Sequence, residues 1–292
     1  MHDIVLKIKS GVPSIEVFRR LKKHRLAVIG AVIILTLLFI AIFAPFIAPH
    51  DPIEQNLEKR LLPPNKEYPF GTDHLGRCIL SRIIYGTRVS LQIGVIVVGI
   101  SSIIGVVLGL IAGFRGGLID EIIMRTVDIL LAFPGIILAL VIAGILGPSL
   151  FNVMLALSLI GWTSYARVVR GTVLSEKEKE FVEAAKALGA SDTRIMFYHI
   201  LPNVMAPVIV MATLGIAHVI LAAAALSFLG LGAQPPTPEW GSMLNDGRAF
   251  MQTAPHLTIF PGLTIMVTVL AFNFLGDGLR DALDPQLKER IR

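Results

Sequence analysis

Long uncharged runs alternate with short polar segments along this chain. The runs cover residues 26–47, 89–114, 129–166, 201–238 and 257–276. A helix needs about 20 apolar residues to cross a hydrocarbon core about 30 Å thick, so the first, second and last runs each predict one membrane-spanning helix. The two remaining runs are longer than one span requires.

Glycine and proline divide the two longer runs. Gly147-Pro148 lies near the middle of 129–166, where a glycine followed by proline breaks a helix and favours a tight turn, leaving about 18 residues on each side. In 201–238, Gly230 and the prolines that follow end one helix and begin a loop. The pattern therefore predicts an all-α, polytopic membrane protein with six transmembrane helices.

Lysine and arginine fall mainly on one side of these six predicted spans. With the N-terminus in the cytoplasm, 19 of these residues lie in cytoplasmic segments and 7 lie outside. Short cytoplasmic loops of membrane proteins carry the excess of basic residues, so both termini are predicted to be cytoplasmic. The predicted segments are a cytoplasmic tail over 1–25, a first span over 26–47, an extracytoplasmic loop over 48–88, a core of five spans over 89–276 with a cytoplasmic loop at 167–203, and a cytoplasmic tail over 277–292.

Three arginines on the predicted outer side need a separate explanation. Arg77, Arg82 and Arg88 lie just before the second span, and apolar residues recur between them at helical spacing. This pattern favours an interfacial elbow helix over 77–88 whose arginines face water or lipid headgroups. A solvated loop is the alternative.

The composition agrees with an integral membrane protein. Hydrophobic residues make up 54% of the chain, charged residues 16%, and the mean hydropathy is +0.74, against about 45–50% apolar and 25% charged in soluble domains. The net charge of +5 is assigned to topology and to anionic lipid, not to nucleic acid. The basic residues just before the first span are Arg19, Arg20, Lys22, Lys23 and Arg25.

Catalytic and cofactor motifs are missing from the sequence. It contains no phosphate-binding loop, no zinc-binding spacing and no nucleophile elbow, so no enzyme activity, metal or cofactor is predicted for this chain. The single Cys78 excludes an internal disulfide. The first run exceeds the 7–15 apolar residues of a signal-peptide core and is predicted to remain as an anchor.

Ionisable residues are rare inside the predicted spans. His218 is the clear case, and we expect a hydrogen-bonded packing residue on a bundle-facing side, with a ligand or proton relay as the alternative. Asp128 is expected to pair with Arg125, three residues earlier on the same helix.

A polar helical unit separates the fourth and fifth spans. Phe181, Ala184, Ala185 and Leu188 recur at i, i+3, i+4, i+7 spacing, which predicts a short amphipathic helix with an apolar side. Gly189 supplies a left-handed position to end this helix, and Ser191 can cap the next one. From these residues alone, a docking element for a partner and an ordinary helical hairpin remain equal alternatives.

A family resemblance favours docking. Glu183-Ala184-Ala185, three residues, Gly189, nine residues, then His199 with Leu201-Pro202 resembles the coupling motif of permease subunits in binding-protein-dependent ATP-binding-cassette (ABC) importers. The general motif has isoleucine where this chain has His199, a variation that fits the peptide-importer branch. The resemblance implies that Phe181, Glu183, Ala184, Ala185, Leu188, Gly189, His199, Leu201 and Pro202 contact an ATP-hydrolysing partner.

Other segments resemble the C-type permeases for dipeptides, oligopeptides and nickel. They are Gly71-Thr72-Asp73 with Gly76-Arg77 and Ser81-Arg82, then 234–241, then 276–281 followed by Leu283-Asp284-Pro285. Cys78 departs from the aspartate usual after Gly-Arg, so a structural ion pair at that place is in doubt.

The resemblance implies a type I ABC importer permease fold and a set of partners. These are a second permease, two ATPase subunits that bind ATP and Mg, an extracytoplasmic binding protein and membrane lipid, in a bacterial or archaeal cytoplasmic membrane. The implied substrate is short peptides, with nickel complexes or glutathione-like molecules as alternatives. A self-sufficient carrier or channel, or a scaffold without transport, remains a different class of function.

Small residues and prolines suggest further roles. The four-residue repeats Ser101, Gly105, Gly109, Gly113 and Gly135, Ala139, Ala143, Gly147 predict close helix packing, either within the chain or between subunits. Pro134 and Pro207 are candidate hinges or plain kinks. The outer loop containing Gln234, Pro235, Pro236, Glu239 and Trp240 is a candidate contact for the binding protein or a gate, or else it packs on its own bundle.

Overall fold

The computed structural model describes the backbone of residues 14–283 and the side chains of residues 19–283. In this part of the chain all regular structure is helical, apart from one isolated bridge between Thr72 and Cys78. The all-α prediction is confirmed for these residues. The helices are α1 (Ser14–Lys23), α2 (Arg25–Ile47), α3 (Ile79–Arg115), α4 (Gly117–Leu131), α5 (Gly135–Leu146), α6 (Leu150–Glu176), α7 (Glu180–Ala187), α8 (Asp192–Phe228), α9 (Trp240–Arg248) and α10 (His256–Leu283).

Four helices are long and apolar enough to cross a membrane. These are α2, α3, α8 and α10, and the bent pair α4 and α5 makes a fifth candidate span. Helix α6 has 27 residues, but Asn152, several hydroxyl residues and two arginines make it more polar than these. A polytopic membrane protein is thus supported, while the count of six spans stays a prediction.

The stretch predicted as the third span is not one continuous helix. Helix α4 ends at Leu131 and α5 begins at Gly135, with an angle of 88° between them. Pro134 occupies the position just before α5, where its fixed φ and missing N–H end the preceding helical hydrogen bonding. The 12 residues of α5 rise only about 18 Å, so α5 by itself is shorter than a hydrocarbon core. Pro207, by contrast, lies inside α8, which continues through it.

The prediction of an interfacial elbow over 77–88 is wrong. Helix α3 runs without interruption from Ile79 to Arg115, and its first apolar residues, Ile79 and Ile83, are buried. Arg77 and Arg82 are each 2% exposed, so they do not face water or headgroups. Arg88 is exposed, as predicted, and its Nε donates a hydrogen bond to the carbonyl of Ala41 in α2, 3.1 Å away.

The first repeat of small residues joins α3 to α6. A Cβ atom added to Gly105 would lie 2.4 Å from Tyr165 Cβ, and one added to Gly109 would lie 2.6 Å from the carbonyl oxygen of Ala166. The two backbones approach this closely because glycine lacks a side chain. Close packing within the chain, one of the two alternatives, is confirmed for this repeat.

The second repeat is used only in part. Ala139 and Ala143 are fully buried in a cluster that contains Ile93 of α3 and Val153 of α6. Among residues 19–283, a Cβ atom on Gly135 would have its nearest neighbour 3.8 Å away, and one on Gly147 would meet nothing within 4 Å. Gly135 therefore does not serve close packing within this chain.

Two hydrogen bonds define the two ends of the bundle. The Ser149 N–H, at the turn between α5 and α6, donates to the Leu231 carbonyl just after α8 (3.0 Å). At the other end, the Lys177 ammonium donates to the Gly113 carbonyl near the end of α3 (3.2 Å). Helix α6 thus runs from the end that holds the 230–239 loop to the end that holds α7.

The predicted terminal segments lie partly within the described residues. Helix α1 occupies part of the predicted tail 1–25, and His24 Nε2 lies 3.5 Å from Asp281 of α10. Helix α10 continues to Leu283, into the predicted tail 277–292. Asp284, Pro285 and residues 1–13 lie outside the described residues.

Candidate functional site

The predicted amphipathic helix is present as α7, and its end has the predicted geometry. Gly189 has φ +78°, the left-handed conformation that glycine adopts without steric cost. The Ala190 N–H donates to the Ala185 carbonyl (3.1 Å), and the Gly189 N–H donates to the Lys186 carbonyl (2.9 Å). This pair of hydrogen bonds forms a Schellman motif, so the termination of α7 at Gly189 is confirmed.

The start of the next helix also follows the sequence prediction. The Ser191 hydroxyl accepts a hydrogen bond from the Arg194 N–H at 3.4 Å and caps α8. A π-helical segment, Ile195–Ile200, follows the first turn. Ile195 and Ile200 are fully buried in a cluster shared with Val173 of α6. The turn between α7 and α8 is therefore anchored to the end of α6.

The apolar face of α7 differs from the predicted one. Val182 and Ala185 are buried and hold α7 against the chain, and Phe181 is half-buried at the edge of the same cluster. Ala184 is exposed, and Leu188 is 89% exposed. The predicted set of Phe181, Ala184, Ala185 and Leu188 is thus split, since two of its members face away from the bundle.

Helix α7 presents an outward surface that combines a carboxylate with apolar side chains. Glu183 and Leu188 are exposed on it. In the following segment Tyr198 is 77% exposed and Pro202 is exposed, whereas His199 and Leu201 are half-buried. At 89% exposure, Leu188 is not part of the described core, and its side chain is accessible to another molecule.

Ion pairs connect α6, which leads into α7, to α4, the first helix of the bent pair. Arg170 Nη2 donates to Asp120 at 2.6 Å, with Nε on the other carboxylate oxygen, and Arg167 Nη2 donates to Asp128 at 2.6 Å. The prediction that Asp128 pairs with Arg125 is wrong, because Arg125 instead lies 3.7 Å from Glu121. Sequence spacing shows only same-helix partners, so it could not have identified these interhelical pairs.

The outer loop is divided between exposed and buried residues. Gln234, Pro235 and Pro236 are exposed. Trp240 is fully buried, and its Nε1 donates to the Ile83 carbonyl of α3 at 3.2 Å. Glu239 is buried and accepts hydrogen bonds from the N–H groups of Gly241 and Ser242. Glu239 and Trp240 therefore pack the loop on its own bundle and cannot be surface contacts.

A buried charge cluster beneath this loop was missed by the sequence reasoning. Arg77 donates to Asp73 at 2.6 Å and to Asp246 of α9 at 3.2 Å, and Arg82 lies 3.7 Å from Asp73. Cys78 is buried beside these residues, yet the arginines keep carboxylate partners at other positions. The i, i+4 spacing of Asp73 and Arg77 could have indicated their ion pair. Asp246 could not have been found in this way, because it is 169 residues away from Arg77.

His218 does not have the predicted environment. It is exposed on α8, and no hydrogen bond of its ring is present among residues 19–283. The expectation of a hydrogen-bonded, bundle-facing residue is therefore wrong. In the same part of the chain, no group of three or more His, Cys, Asp or Glu residues is arranged to hold a metal ion.

Comparison with protein families gives two matches. Residues 105–289 match the model described as binding-protein-dependent transport system inner membrane component. Residues 13–64 match the N-terminal transmembrane domain of oligopeptide transport permease C. Together the two matches cover most of the chain, including α7 and the helices on which it rests.

Individual relatives match over nearly the whole length. The dipeptide transport system permease protein DppC of Haemophilus influenzae is 49% identical over 99% of this chain and 100% of its own length. DppC of Alkalihalophilus pseudofirmus is 53% identical, covering 94% of this chain and 90% of its own. The glutathione transport system permease protein GsiD of an Escherichia coli strain is 47% identical, with the same coverage.

A solved structure shares the fold at low sequence identity. A chain of the MetNI methionine ABC transporter in an inward-facing conformation matches with a TM-score of 0.55 and 19% identity, covering 69% of this chain and 95% of that chain.

Proposed function

Because the chain belongs to the family of binding-protein-dependent transport system inner membrane components, we propose that it forms, with a second permease, the membrane path of an ATP-driven importer. Its substrate is short peptides delivered by an extracytoplasmic binding protein. Relatives named as dipeptide permeases match it over almost their full length, which supports this assignment. The importer resides in a bacterial or archaeal cytoplasmic membrane.

The outward surface of α7 is the observation that carries the mechanism. Glu183 and Leu188 face away from the bundle, while Val182 is fully buried in a cluster that contains Ile195 of α8 and Val173 at the end of α6. A partner that binds the outer side and moves would therefore displace α7 and α6 together, because packed elements move as rigid bodies. We assign this surface to the ATPase subunit.

The proposed cycle is alternating access. Two ATPase subunits bind ATP and Mg and close, α7 follows them, and the helices of the two permeases change from inward-open to outward-open. The ion pairs from α6 to α4 provide a route by which the movement reaches the broken helix pair. Pro134, between α4 and α5, is the proposed hinge.

The proposed topology has six spans with both termini in the cytoplasm. The α4 and α5 pair supplies the third span and α6 the fourth. The positive-inside distribution of lysine and arginine supports this orientation. In this topology α7 is cytoplasmic, and the exposed residues Gln234, Pro235 and Pro236 are outside, where they contact the binding protein.

Glutathione is the second candidate substrate. Relatives named as glutathione permeases are 47% identical over 94% of this chain, only slightly below the dipeptide permeases. A glutathione-like solute shares the peptide bonds and terminal carboxylate of a short peptide, so the same path would accept both. Nickel complexes are a third candidate.

Reconstitution in liposomes tests the function. The chain is assembled with its partner permease, ATPases and binding protein, and ATP-dependent uptake of labelled dialanine and of glutathione is measured. We expect uptake to stop when Glu183→Arg and Gly189→Leu are combined, since this variant reverses the charge and forces a side chain onto a left-handed backbone. Glu178→Arg, an exposed residue just before α7, is the matched control and should retain uptake.

The same system separates the other functional classes. Uptake by liposomes that contain this chain alone would make it a self-sufficient carrier or channel. A scaffold would support no uptake in any combination. Full ATP-driven uptake by the double variant would contradict the assignment of α7 to coupling.

A further inference from the structure

A polar cavity lies where α8 ends and α9 begins. Its volume is about 120 Å³, and its walls come from the start of α3, the end of α8, the following loop and α9. A single water molecule needs about 10–15 Å³ of such space, so the cavity can hold a larger polar group. The polar residues that line it include Arg82, Ser227, Gln234, Ser242, Asn245 and Asp246.

Arg82 is the less well paired of the two buried arginines. Arg77 binds Asp73 at 2.6 Å and Asp246 at 3.2 Å. The nearest carboxylate oxygen to Arg82 belongs to the same Asp73, at 3.7 Å, and the described hydrogen bond of its guanidinium is from Nη1 to the Pro52 carbonyl. A buried cation whose nearest carboxylate, at 3.7 Å, is shared with a second arginine is only partly compensated. The cavity is therefore suited to an anionic group.

Ser227 adds a second polar group, one that lacks a well-formed hydrogen bond. It is buried, and its hydroxyl lies beside the Glu239 carboxylate without a well-formed hydrogen bond. That carboxylate already accepts from two backbone N–H groups, at 2.9 and 2.8 Å. Buried hydroxyls are nearly always hydrogen-bonded, so Ser227 is available as a donor to a molecule in the cavity.

We propose that this cavity binds the carboxylate of a short peptide before the peptide enters the path, with Arg82 and Ser227 as donors. Charge-assisted hydrogen bonds from guanidinium to carboxylate are among the strongest in proteins. Asp246 and Gln234 line the same cavity and can accept hydrogen bonds from peptide N–H groups. This inference rests on the proposed import of short peptides, and it adds to that proposal a recognition site on this subunit.

Protection of an engineered thiol tests the inference. Asn245→Cys places a thiol in the cavity, and the native Cys78 is buried, so its background reaction is small. Membranes with the assembled permeases and ATPases, but without the binding protein, are treated with a small membrane-impermeant methanethiosulfonate reagent. We expect dialanine to slow the modification of Asn245→Cys severalfold.

Two controls separate specific binding from general effects. Dialanine amide lacks the carboxylate and should protect at least about tenfold less well, as expected for the loss of a charged hydrogen-bond partner. Met251→Cys, at an exposed position beyond α9, should react at the same rate with and without dialanine. Thr237→Cys, at the rim of the cavity, replaces Asn245→Cys if that variant does not assemble.

The outcomes are distinct from those of the transport assay. Adding Ser227→Ala to the thiol variant should raise the dialanine concentration needed for protection severalfold, while an unchanged thermal unfolding midpoint and co-purification of the ATPases show that the fold is intact. Equal protection by dialanine and its amide, or no protection by either, overturns the cavity proposal even when dialanine is imported. Absence of dialanine uptake by the complete importer counts against the proposed function instead.

Discussion

Leu188 is the residue at which contact with an ATPase can be tested most directly. It is 89% exposed at the end of α7, beside the left-handed Gly189. If an ATPase covers it, its replacement by serine removes apolar contact area without changing the Schellman motif. We expect Leu188→Ser to weaken ATPase binding by about 1–2 kcal/mol, or roughly tenfold, measured by co-purification and by titration of the ATPase.

A matched control is available on the opposite side of the bilayer in the proposed topology. Leu57 is 64% exposed in the 48–78 segment, so Leu57→Ser removes a similar exposed side chain. Unchanged ATPase binding in Leu188→Ser, or an equal loss in Leu57→Ser, would argue against contact through α7.

Gly105 allows a residue-level test of the close packing between α3 and α6. A Cβ atom there would lie 2.4 Å from Tyr165 Cβ and 2.6 Å from the Trp162 carbonyl oxygen. We expect Gly105→Ala to destabilise the protein by about 1–3 kcal/mol, the usual cost of overpacking a core. The measurement is thermal unfolding in detergent, followed as the fraction of protein that stays monodisperse after heating.

Gly99 on the same helix is the control for this change. A Cβ atom at Gly99 meets nothing within 4 Å in the described part of the chain, so Gly99→Ala should be neutral or stabilise the helix by about 0.5–1 kcal/mol. If Gly105→Ala and Gly99→Ala behave alike, the close approach of α3 to α6 is not present in the protein.

Residue patterns predicted local backbone features better than they predicted side-chain partners. Gly189 and Ser191 were assigned correctly because a helix end depends on a few neighbouring residues. Asp246 could not be assigned to Arg77 because the two residues are 169 positions apart, and only the folded chain brings them together. The sequence could not decide whether Trp240 is buried or exposed for the same reason, since the carbonyl that it binds belongs to the distant Ile83.

At the level of helices, the ion pairs between α4 and α6 can be tested by exchanging charges. Asp120 is mostly buried, and Arg170 binds both of its carboxylate oxygens. We expect Arg170→Asp to place two carboxylates together and lower stability by at least about 1 kcal/mol. The double variant Arg170→Asp with Asp120→Arg should restore most of the loss, because the opposite charges meet again.

The pair Glu121 and Arg125 provides the comparison on the same helix. Its atoms are 3.7 Å apart and both side chains are largely exposed, so reversing Arg125 should change stability by less than about 0.5 kcal/mol. Coupling is read separately, as the rate of ATP hydrolysis per peptide imported. A charge exchange that restores neither stability nor coupling would mean that these pairs do not connect α4 to α6.

The break between α4 and α5 shows how far apolar runs can predict elements. Run length distinguishes membrane helices from loops, and it located both ends of α2, the end of α8 and the start of α10 to within about two residues. It missed the start of α8, at Asp192, and the end of α10, at Leu283, because both helices continue into polar sequence. It does not report where a helix changes direction, and Pro134 alone could have produced anything from a mild kink to the observed 88°. The elbow prediction failed for a different reason. The arginines near the start of α3 suggested a separate interfacial helix, but inside the fold they are paired with Asp73 and Asp246, and α3 continues without a break.

For the whole molecule, the arrangement of α5 and α6 decides between six spans and a re-entrant loop. The turn containing Pro148 is joined to the 230–239 loop by the hydrogen bond from Ser149 to Leu231, so both lie at the same end of the bundle. If α5 completes a span, that end is outside. If α4 and α5 only dip into the bilayer, Pro148 and the 230–239 loop lie in the cytoplasm, and α7, at the other end of α6, lies outside.

Labelling of single introduced cysteines separates these topologies. In right-side-out vesicles with a membrane-impermeant maleimide, we expect Pro148→Cys and Met251→Cys to react, while Leu188→Cys reacts only after the membrane is permeabilised. Each of these three positions is exposed, and the buried Cys78 keeps the background low. Reaction of Pro148→Cys only after permeabilisation would make the α4 and α5 pair re-entrant, place α7, at the other end of α6, outside, and remove the geometric basis for coupling to a cytoplasmic ATPase.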